Sequence, residues 1–177
     1  MERQDVATPV REALARAQRS AVHLEMRDSY MLDDPEFIAW QRGKRLDPGN
    51  RASWWHGWHD AVAEAVGRGV LVRRARIVSE PLHDYVWYEH DLTYGNLAAG
   101  EQVRWLPRRD TKDLSLPGLD FWVFDDEVVH FHHFTGDGQL AEHGEEIVRD
   151  PALVKHCASA FEAVWERATP HQEYRPI

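Results

Sequence analysis

The feature that most constrains the fold is a run of four strand-like stretches in the second half of the chain. They read EQVRWLPR, DFWVFD, VVHFHHF and QLAEHGEEIV, and the last three are joined only by the turns DDE and TGDG. Short runs rich in aromatic and β-branched residues are typical of strands, and tight turns rich in Asp and Gly favour hairpins. Such strands bury an apolar face only inside a sheet, so we expect the chain to be built around one.

Helical patterns precede and follow these strands. Thr8 with Pro9 is a helix start, and the pattern predicts an N-terminal helix over 8–20. Further helices are predicted in DDPEFIAWQRGK, from a cap at Ser53, from a cap at Ser79 to about His90, and from Asp150, with strands in SAVHLEM and VLVRRARIVSE. The order is helix, strand, two helices, strand, helix, four strands and a last helix. It predicts an α/β fold, a mixed β-sheet flanked by helices.

Length and composition suit a single domain. The chain has 177 residues, of which 43% are apolar and eight are tryptophan, which is enough for a full core. We therefore predict one domain over 1–177, with 170–177 as a mobile tail. The one cysteine, Cys157, cannot form an internal disulfide, which fits a reducing compartment. No apolar run approaches the ~20 residues that span a bilayer, so a cytoplasmic protein is expected.

The formal charge of −9 sets the expectation for partners. An acidic surface repels phosphate backbones and anionic lipid, so we predict no direct nucleic-acid binding and no membrane binding. A small molecule or a regulatory protein partner is expected instead, and a homodimer is the default oligomer. The sequence holds no Gly-rich phosphate loop, and no cofactor is predicted.

Four stretches together carry a resemblance to a known family. They are LEMRDSY, RRARIVSEPLHDY, AAGE with VRWLPR, and DFWVFDD. Over about residues 20–168 the chain resembles an actinobacterial family of unknown function, whose members are often encoded beside helix-turn-helix regulators. The resemblance implies a cytoplasmic location and a regulatory setting. It brings no catalytic residues, because none is assigned in that family.

A more distant likeness is to phospholipase-D-like domains. AVGRGVLVRRARIV is similar to their helix–Gly–strand unit, and DFWVFDDEVVHFH is similar to their strand–turn–strand unit with paired acids. Their chemistry rests on a His-x-Lys motif with a downstream Asp, in which the histidine attacks phosphorus and the lysine stabilises the phosphoryl oxygens. No His-x-Lys occurs in this sequence. The likeness therefore implies a degenerate phospholipase-D-like unit without that phosphodiesterase chemistry.

The histidines of VVHFHHF raise the question of a metal site. On a strand His130 and His132 share one face, and Glu142 or His143 on the returning strand could supply a third ligand. A cupin-type site wants a glutamate soon after the second histidine, where this chain has Thr-Gly. We therefore predict no metal, with His130 and His132 as weak candidates, and favour a histidine-lined sheet face. The histidines of HGWHD are expected on the solvated side of their helix.

The best candidate site is SEPLHDYVWYEH, a helix start directly after a strand. Helix N-termini bind anions, but Glu80 and Asp84 lie in the predicted first turn and oppose a phosphate there. A cationic or hydroxyl-rich ligand, or an arginine of a partner, is therefore favoured. We predict that six ligand-binding residues gather at one edge of the sheet: Arg27, Glu80, Asp84, Tyr85, Glu89 and Arg104. The alternative is that this helix only docks on the sheet and pairs with its arginines.

Two functions stay open on the sequence. The first is a non-catalytic cytoplasmic regulatory or ligand-binding protein that uses the predicted site. The alternative is a small enzyme of specialised metabolism, with an acid–base pair drawn from Glu89, Asp120 and His130. A histidine with a pKa of ~6.5 can act as a base at neutral pH. A deep pocket that joins His130 to a carboxylate would favour the enzyme.

Overall fold

The computed structural model describes residues 8–177, with only the backbone described for Thr8. Its helices are α1 (Thr8–Arg16), α2 (Pro35–Gln41), α3 (Gly57–Gly67), α4 (Asp84–Ala98) and α5 (Pro151–Arg167). Its strands are β1 (Ser20–Glu25), β2 (Leu71–Val78), β3 (Gln102–Pro107), β4 (Asp120–Phe124), β5 (Val128–Phe134), β6 (Leu140–Val148) and β7 (Thr169–Pro170). Short 3-10 turns lie at Arg51–Ser53 and Arg108–Thr111. Within this range no helix is long and apolar enough to cross a bilayer.

The strands form one mixed sheet in the order β6-β5-β4-β1-β2-β3-β7. β1, β2 and β3 are parallel neighbours, and the remaining pairs are antiparallel. Parallel neighbours need a crossover connection, which α2 and α3 supply between β1 and β2 and α4 supplies between β2 and β3. The predicted α/β class, a mixed sheet flanked by helices, is confirmed, as is the predicted order of elements before β7.

The two faces of the sheet are covered by different helices. Helix α5 packs on one face, and α1, α3 and α4 pack on the other. Alternation along the strands directs Leu24, Ile77 and Phe121 toward α5, where they join an apolar core. The opposite face is apolar at Ala21 and Trp122 beneath α1 and α3, whereas its centre beneath α4 carries charged side chains. The α5 face therefore holds the largest single apolar cluster, and each large side chain buried there contributes ~1.5–3 kcal/mol.

The turn between β4 and β5 ties β4 to the start of β1. Asp125 and Asp126 both have positive φ in the three-residue loop between Phe124 and Val128, a backbone conformation that Asp tolerates better than most residues. The Asp125 carboxylate accepts hydrogen bonds from the backbone N–H groups of Gln18, Arg19 and Ser20 at 2.8, 2.7 and 2.9 Å. Partial burial raises the pKa of Asp125, but these bonds outweigh it and lower the pKa. The carboxylate thus stays charged and fixes the beginning of the sheet.

Two helices in the first half of the chain have bounds that differ from the prediction. α1 ends at Arg16 and does not run over 8–20, because the chain has already entered β1 at Ser20. α3 is capped by the side chain of His56, which accepts a hydrogen bond from a backbone N–H group. The predicted cap, Ser53, instead ends a 3-10 turn one turn earlier in the chain.

The expected exposure of the HGWHD histidines is wrong for the second of them. His56 is exposed, but His59 is 4% exposed. Helix α4 approaches α3 closely at Gly95, where an added Cβ would lie 2.6 Å from Nε2 of His59. Burial lowers the pKa of His59 to about 4. The missing side chain at Gly95 is what lets the two helices enclose this histidine.

Helix α4 begins later and runs further than predicted. It starts at Asp84 with His83 as its cap, and it continues to Ala98, beyond the predicted end near His90. Ser79 is not its cap, because its hydroxyl donates to the Asp28 carboxylate at 2.6 Å. The residues between β2 and α4 therefore form a loop at the edge of the sheet.

Residues 170–177, predicted as a mobile tail, are folded onto the sheet. β7 pairs with β3, and Tyr174 is only 5% exposed. Tyr174 stacks on Trp105 of β3 with the two rings 5.5 Å apart and nearly parallel. The aromatic contact gives this segment an apolar anchor that polar composition alone did not predict.

Candidate functional site

Five charged side chains lie buried between the sheet and α4. We call them the buried charge network: Glu25, Arg74, Arg76, Glu89 and Glu101. None of these side chains is more than 12% exposed. They face α4 because residues 25, 74 and 76 occupy alternating positions on β1 and β2, so that they share one side of the sheet.

Glu25 lies between the two arginines of the network. Nη1 of Arg74 and Nε of Arg76 each donate a hydrogen bond to one oxygen of Glu25. Arg74 also donates through Nε to Glu101 at 2.6 Å, and Nη2 of Arg76 lies 3.6 Å from Glu89. Arg76 also donates through Nη1 to the hydroxyl of Thr93 at 2.8 Å, so both guanidinium groups are bonded to buried partners.

The charges of this network explain the pKa of Glu89. Arg74 and Arg76 supply two positive charges, which Glu25 and Glu101 already balance. Glu89 is a third, buried acid, and burial raises its pKa to about 8 although Arg76 acts in the opposite direction. Burial acts on Glu25 as well, but its two arginine partners hold the pKa of Glu25 far below the usual value. Glu89 is thus the proton-carrying member at neutral pH.

Asp120 lies at the edge of this network, at the start of β4. Its carboxylate accepts hydrogen bonds from the backbone N–H of Met26 at 2.8 Å and from the hydroxyl of Tyr30. Burial raises the pKa of Asp120 to about 6 in spite of these two bonds. The structure therefore places two of the predicted catalytic candidates, Glu89 and Asp120, in one buried region.

His130, the third candidate, lies further along the same face of the sheet. It is 4% exposed, and burial lowers its pKa. Its β4 neighbour is Trp122 and its ring contacts Phe124 at 5.2 Å. Within residues 8–177 Nδ1 of His130 has no hydrogen-bond partner and no carboxylate pairs with the ring, so the arrangement expected of the enzyme alternative is not formed around it.

The predicted alternation of the β5 histidines is confirmed, but the predicted third metal ligand lies elsewhere. His130 and His132 share a face, and the residue opposite His132 is Glu145. Glu142 and His143 are 93% and 92% exposed, because the returning strand is irregular where His143 has positive φ. Burial lowers the pKa of His132 to about 4. Among the residues that the structure describes, no three His, Cys, Asp or Glu side chains form a group that could hold a metal.

A second polar region lies at the carboxyl ends of the parallel strands. A cleft of about 320 Å³ opens there, and we call it the strand-end cleft. It is lined by Ser79, Glu80, Pro107, Arg108 and Arg109. In open α/β sheets the carboxyl ends of parallel strands are the usual place for ligands, because the loops that follow them can be varied without changing the sheet.

Arg108 and Arg109 have different partners in this cleft. Arg108 donates to the backbone carbonyls of Met26 at 2.6 Å and Ile77 at 3.3 Å, and to the hydroxyl of Ser79 at 3.0 Å. It therefore holds the ends of β1 and β2 together. Arg109 is 66% exposed and pairs with the carboxylate of Glu80 at 3.2 Å. Arg109 is the cation that a ligand in the cleft would meet.

The structure brings only some of the six predicted ligand-binding residues together. Glu80 lines the cleft, while Asp84 is exposed at the start of α4 and Arg27 lies with its guanidinium 5.4 Å from the ring of Phe134. Tyr85 is 7% exposed and packs among aromatic rings beneath α4. Glu89 belongs to the buried charge network.

Arg104, the sixth predicted residue, lies on the opposite face of the sheet. β3 pairs with β2 so that Arg104 is level with Ala75, and both face α5. The guanidinium of Arg104 stacks 4.4 Å from the ring of Trp165 and donates to its carbonyl at 2.9 Å. Arg104 therefore does not lie with the other predicted residues at one edge. The face on which it lies depends on the register between β2 and β3, and the sequence of a single strand does not determine that register.

Ser79, Arg108 and Arg109 were not among the residues predicted for the site. Their position in the sequence could have indicated them, since Ser79 and Arg108 directly follow β2 and β3. Residues in that position meet at one edge when two strands are parallel. The prediction left the strand directions open, so the signal could not be used.

Solved structures with a similar fold are found at low sequence identity. Nuc from Salmonella typhimurium, described as a phospholipase D family member, matches 94% of this chain and 89% of its own at 14% identity, with a TM-score of 0.50. NucT from Helicobacter pylori matches 94% of this chain and 91% of its own at 13% identity, with a TM-score of 0.49. The likeness to Nuc shows the fold alone, and it confirms the predicted phospholipase-D-like architecture.

A third similar structure corrects one prediction about partners. TrmBL2, described as an archaeal chromatin protein with a novel mode of DNA binding, matches 92% of this chain at 18% identity with a TM-score of 0.48. The match spans 49% of that protein's length. The prediction of no direct nucleic-acid binding is therefore wrong as an exclusion, because net charge does not describe the local surface that a partner meets. The match assigns no nucleic-acid partner to this chain.

Sequence comparison leads to a family without an assigned activity. A search of curated proteins finds no match. Residues 9–176 match the family described as a domain of unknown function, DUF6879. The predicted resemblance to a family of unknown function is confirmed to that extent, whereas the actinobacterial origin and the neighbouring regulators stay predictions.

Proposed function

We propose that this chain, which belongs to the DUF6879 family of domains of unknown function, is a non-catalytic cytoplasmic ligand-binding protein with a regulatory role. The strand-end cleft is the binding site in this proposal. The observation that supports the proposal is a difference in the solvent exposure of charged side chains. The acid–base candidates Glu89 and Asp120 are buried, whereas Arg109 at the cleft is 66% exposed, although its partner Glu80 is only 6% exposed.

The chemistry of the cleft indicates the class of ligand. Glu80 offers a carboxylate that accepts hydrogen bonds from hydroxyl or ammonium groups, and Arg109 beside it offers guanidinium donors. A small hydroxyl-rich or zwitterionic molecule supplies both kinds of partner. A simple anion pairs with Arg109 but is repelled by Glu80, so it fits less well.

The test is an amide-detected NMR titration at about pH 5 with three defined probes: myo-inositol, L-serine and inorganic phosphate. We expect the backbone signals of Ser79, Glu80 and Arg109 to shift with inositol or serine more than with phosphate. Arg109→Ala and Glu80→Gln should each abolish these shifts. Arg16→Ala is the matched control, because Arg16 forms an exposed pair with Glu12 on α1, away from the cleft. Shifts that persist in Arg109→Ala, or that are absent with every probe, contradict the proposal.

A second function is favoured by one specific observation. The pKa of Glu89 is raised to about 8 and that of Asp120 to about 6, and such values near neutrality suit general acid–base catalysis. This enzyme would need an opening beneath α4 to admit a substrate. Turnover that is lost in Glu89→Gln and unchanged in Arg109→Ala would favour it over the binding protein.

A further inference from the structure

Residues 169–177 lie along the β3 edge of the sheet, beside the strand-end cleft, and we call them the strap. The strap begins as β7, which pairs antiparallel with β3. The N–H of His171 then donates to the carbonyl of Val103 at 3.0 Å, and the carbonyl of Ile177 accepts from the N–H of Leu82 at 3.1 Å. Backbone hydrogen bonds therefore hold the strap at both of its ends.

One side chain of the strap reaches the wall of the cleft. The hydroxyl of Tyr174 donates to Oε1 of Glu80 at 2.8 Å, and Oε2 of the same carboxylate lies 3.2 Å from Arg109. Glu80 is only 6% exposed as a result of these contacts. The carboxylate that a ligand would use is thus covered while the strap is in place.

The contact that secures the middle of the strap depends on a neutral histidine. Nε1 of Trp105 donates to Nδ1 of His171 at 3.1 Å, and Trp105 is an indole that can only donate. A proton on Nδ1 of His171 removes this acceptor. It also places a charge beside the ring of His90, whose centroid is 4.5 Å away.

We propose that the strap is a closure of the strand-end cleft that opens when His171 takes up a proton. Opening withdraws Tyr174 and leaves Glu80 free to bind. The role of the opened cleft rests on the proposed function, whereas release of the strap is a property of the fold and can be measured without a ligand.

The groups around His171 favour its neutral form while the strap is closed, as the proposal requires. Burial, and then His90 from α4, Arg76 from β2 and Arg175 from the strap, lower the pKa of His171 to about 4. Asp91 raises the pKa of His90, but burial outweighs it and the pKa of His90 is also lowered. A released histidine returns to a pKa of ~6.5, so the closed strap is fully stabilised above that pH and loses stability as the pH falls toward about 4.

Hydrogen exchange of individual amides tests the proposal. The reporters are the amides of His171, Tyr174 and Leu82, each compared with amides of β1 and β2 after correction for the intrinsic rate. From the two pKa values we expect protection of the reporters to fall about 30-fold between pH 7.5 and pH 5 while the sheet remains protected. Unchanged relative protection across this range would overturn the proposal.

Two variants separate the role of His171 from general acid sensitivity. His171→Asn keeps an acceptor near Nδ1 but cannot take up a proton, so most of the pH dependence should disappear. His156→Asn is the matched control, since His156 is exposed on α5, and it should behave like the unaltered protein. Equal pH dependence in His171→Asn would contradict the proposal.

A third variant keeps the test informative if His171→Asn does not fold. Tyr174→Phe removes only the hydroxyl that holds Glu80, and we expect about fivefold lower strap protection at pH 7.5 from the loss of one hydrogen bond. No loss of protection would show that Tyr174 does not fasten the strap. If the strap opens as expected but none of the NMR probes binds, the proposed ligand site is wrong and the closure still stands.

Discussion

Two regions of this domain use the same residue types to different effect. The buried charge network and the strand-end cleft both pair arginines with acids. Side chains of the network are at most 12% exposed. At the cleft Glu80 is likewise buried, at 6% exposed, but Arg108 and Arg109 are 40% and 66% exposed. Burial, and not residue type, therefore decides which charges remain available to a ligand.

The difference also sets what each region contributes to stability. Removing one partner of a buried ion pair leaves an uncompensated charge and costs ~3–5 kcal/mol, whereas an exposed pair is worth ~0–1 kcal/mol. Substitutions in the network should therefore act on stability, and substitutions in the cleft should act on binding.

The largest effect is expected when the network loses an arginine. Arg74→Met leaves Glu25 and Glu101 buried with less positive charge, and the free energy of unfolding should fall by ~3–5 kcal/mol in urea denaturation. Arg16→Met on α1 is the control for an exposed pair. Arg16 pairs with Glu12 and both are well exposed, at 74% and 60%, so a loss of at most ~1 kcal/mol is expected. Equal losses in the two variants would erase the contrast between buried and open charges.

The next largest effect on stability is expected at Glu89, the acid of the network that the two arginines do not balance. The pKa of Glu89 is raised to about 8, so this group stabilises the fold below its unfolded value of about 4.5 and loses that contribution as the pH rises toward 8. Glu89→Gln should raise the free energy of unfolding at pH 8 by ~1–3 kcal/mol and flatten its decline with pH. Glu25→Gln should be destabilising at the same pH. Urea denaturation at pH 6 and pH 8 measures the free energy of unfolding of both variants. A lower free energy of unfolding for Glu89→Gln at pH 8 would contradict the claim that Glu89 is the acid that the two arginines do not balance.

A smaller effect is expected at Asp120. Tyr30→Phe removes the hydroxyl that donates to this buried carboxylate, and a hydrogen bond to a charged group is worth ~1.5–3 kcal/mol at most. We expect a loss of ~1–2 kcal/mol at pH 7. The pKa of Asp120, followed by carboxyl NMR, should rise above about 6. An unchanged pKa would mean that Met26 alone orients the carboxylate.

The smallest effect on stability is expected at the cleft itself. Arg109→Ala removes an exposed guanidinium, so the free energy of unfolding should change by less than ~0.5 kcal/mol. The same variant should lose the probe-induced NMR shifts. A loss of several kcal/mol in denaturation would show that Arg109 is part of the scaffold and would end its assignment to binding.

Much of the fold follows from local sequence signals. The last helix illustrates this, because Asp150 accepts from the N–H of Leu153 at 2.9 Å and Pro151 follows, as the cap pattern predicts. The Asp-Asp-Glu turn and the shared face of His130 and His132 follow equally from turn chemistry and strand alternation. These features depend on residues that are close together in the chain.

The candidate site depends on contacts that no local pattern contains. Arg74 and Arg104 look alike in sequence, yet the register of β2 and β3 sends them to opposite faces. His59 is buried because of a glycine on α4, and Tyr174 is buried because of a tryptophan on β3. In each case the partner is distant in the chain, and the environment could be known only from the assembled structure.

The position of β1 in the sheet has a consequence for biosynthesis. It is the first strand of the sheet, yet Ala21 pairs with Val72 on one side and with Phe124 on the other. The ribosome must therefore reach Phe124 before β1 has both neighbours, and until then one side of a central, apolar strand has open backbone groups. Pairing across such distances slows folding and exposes the nascent chain to wrong partners. Translation that stalls before β4 should consequently yield an aggregating fragment and not a smaller folded domain.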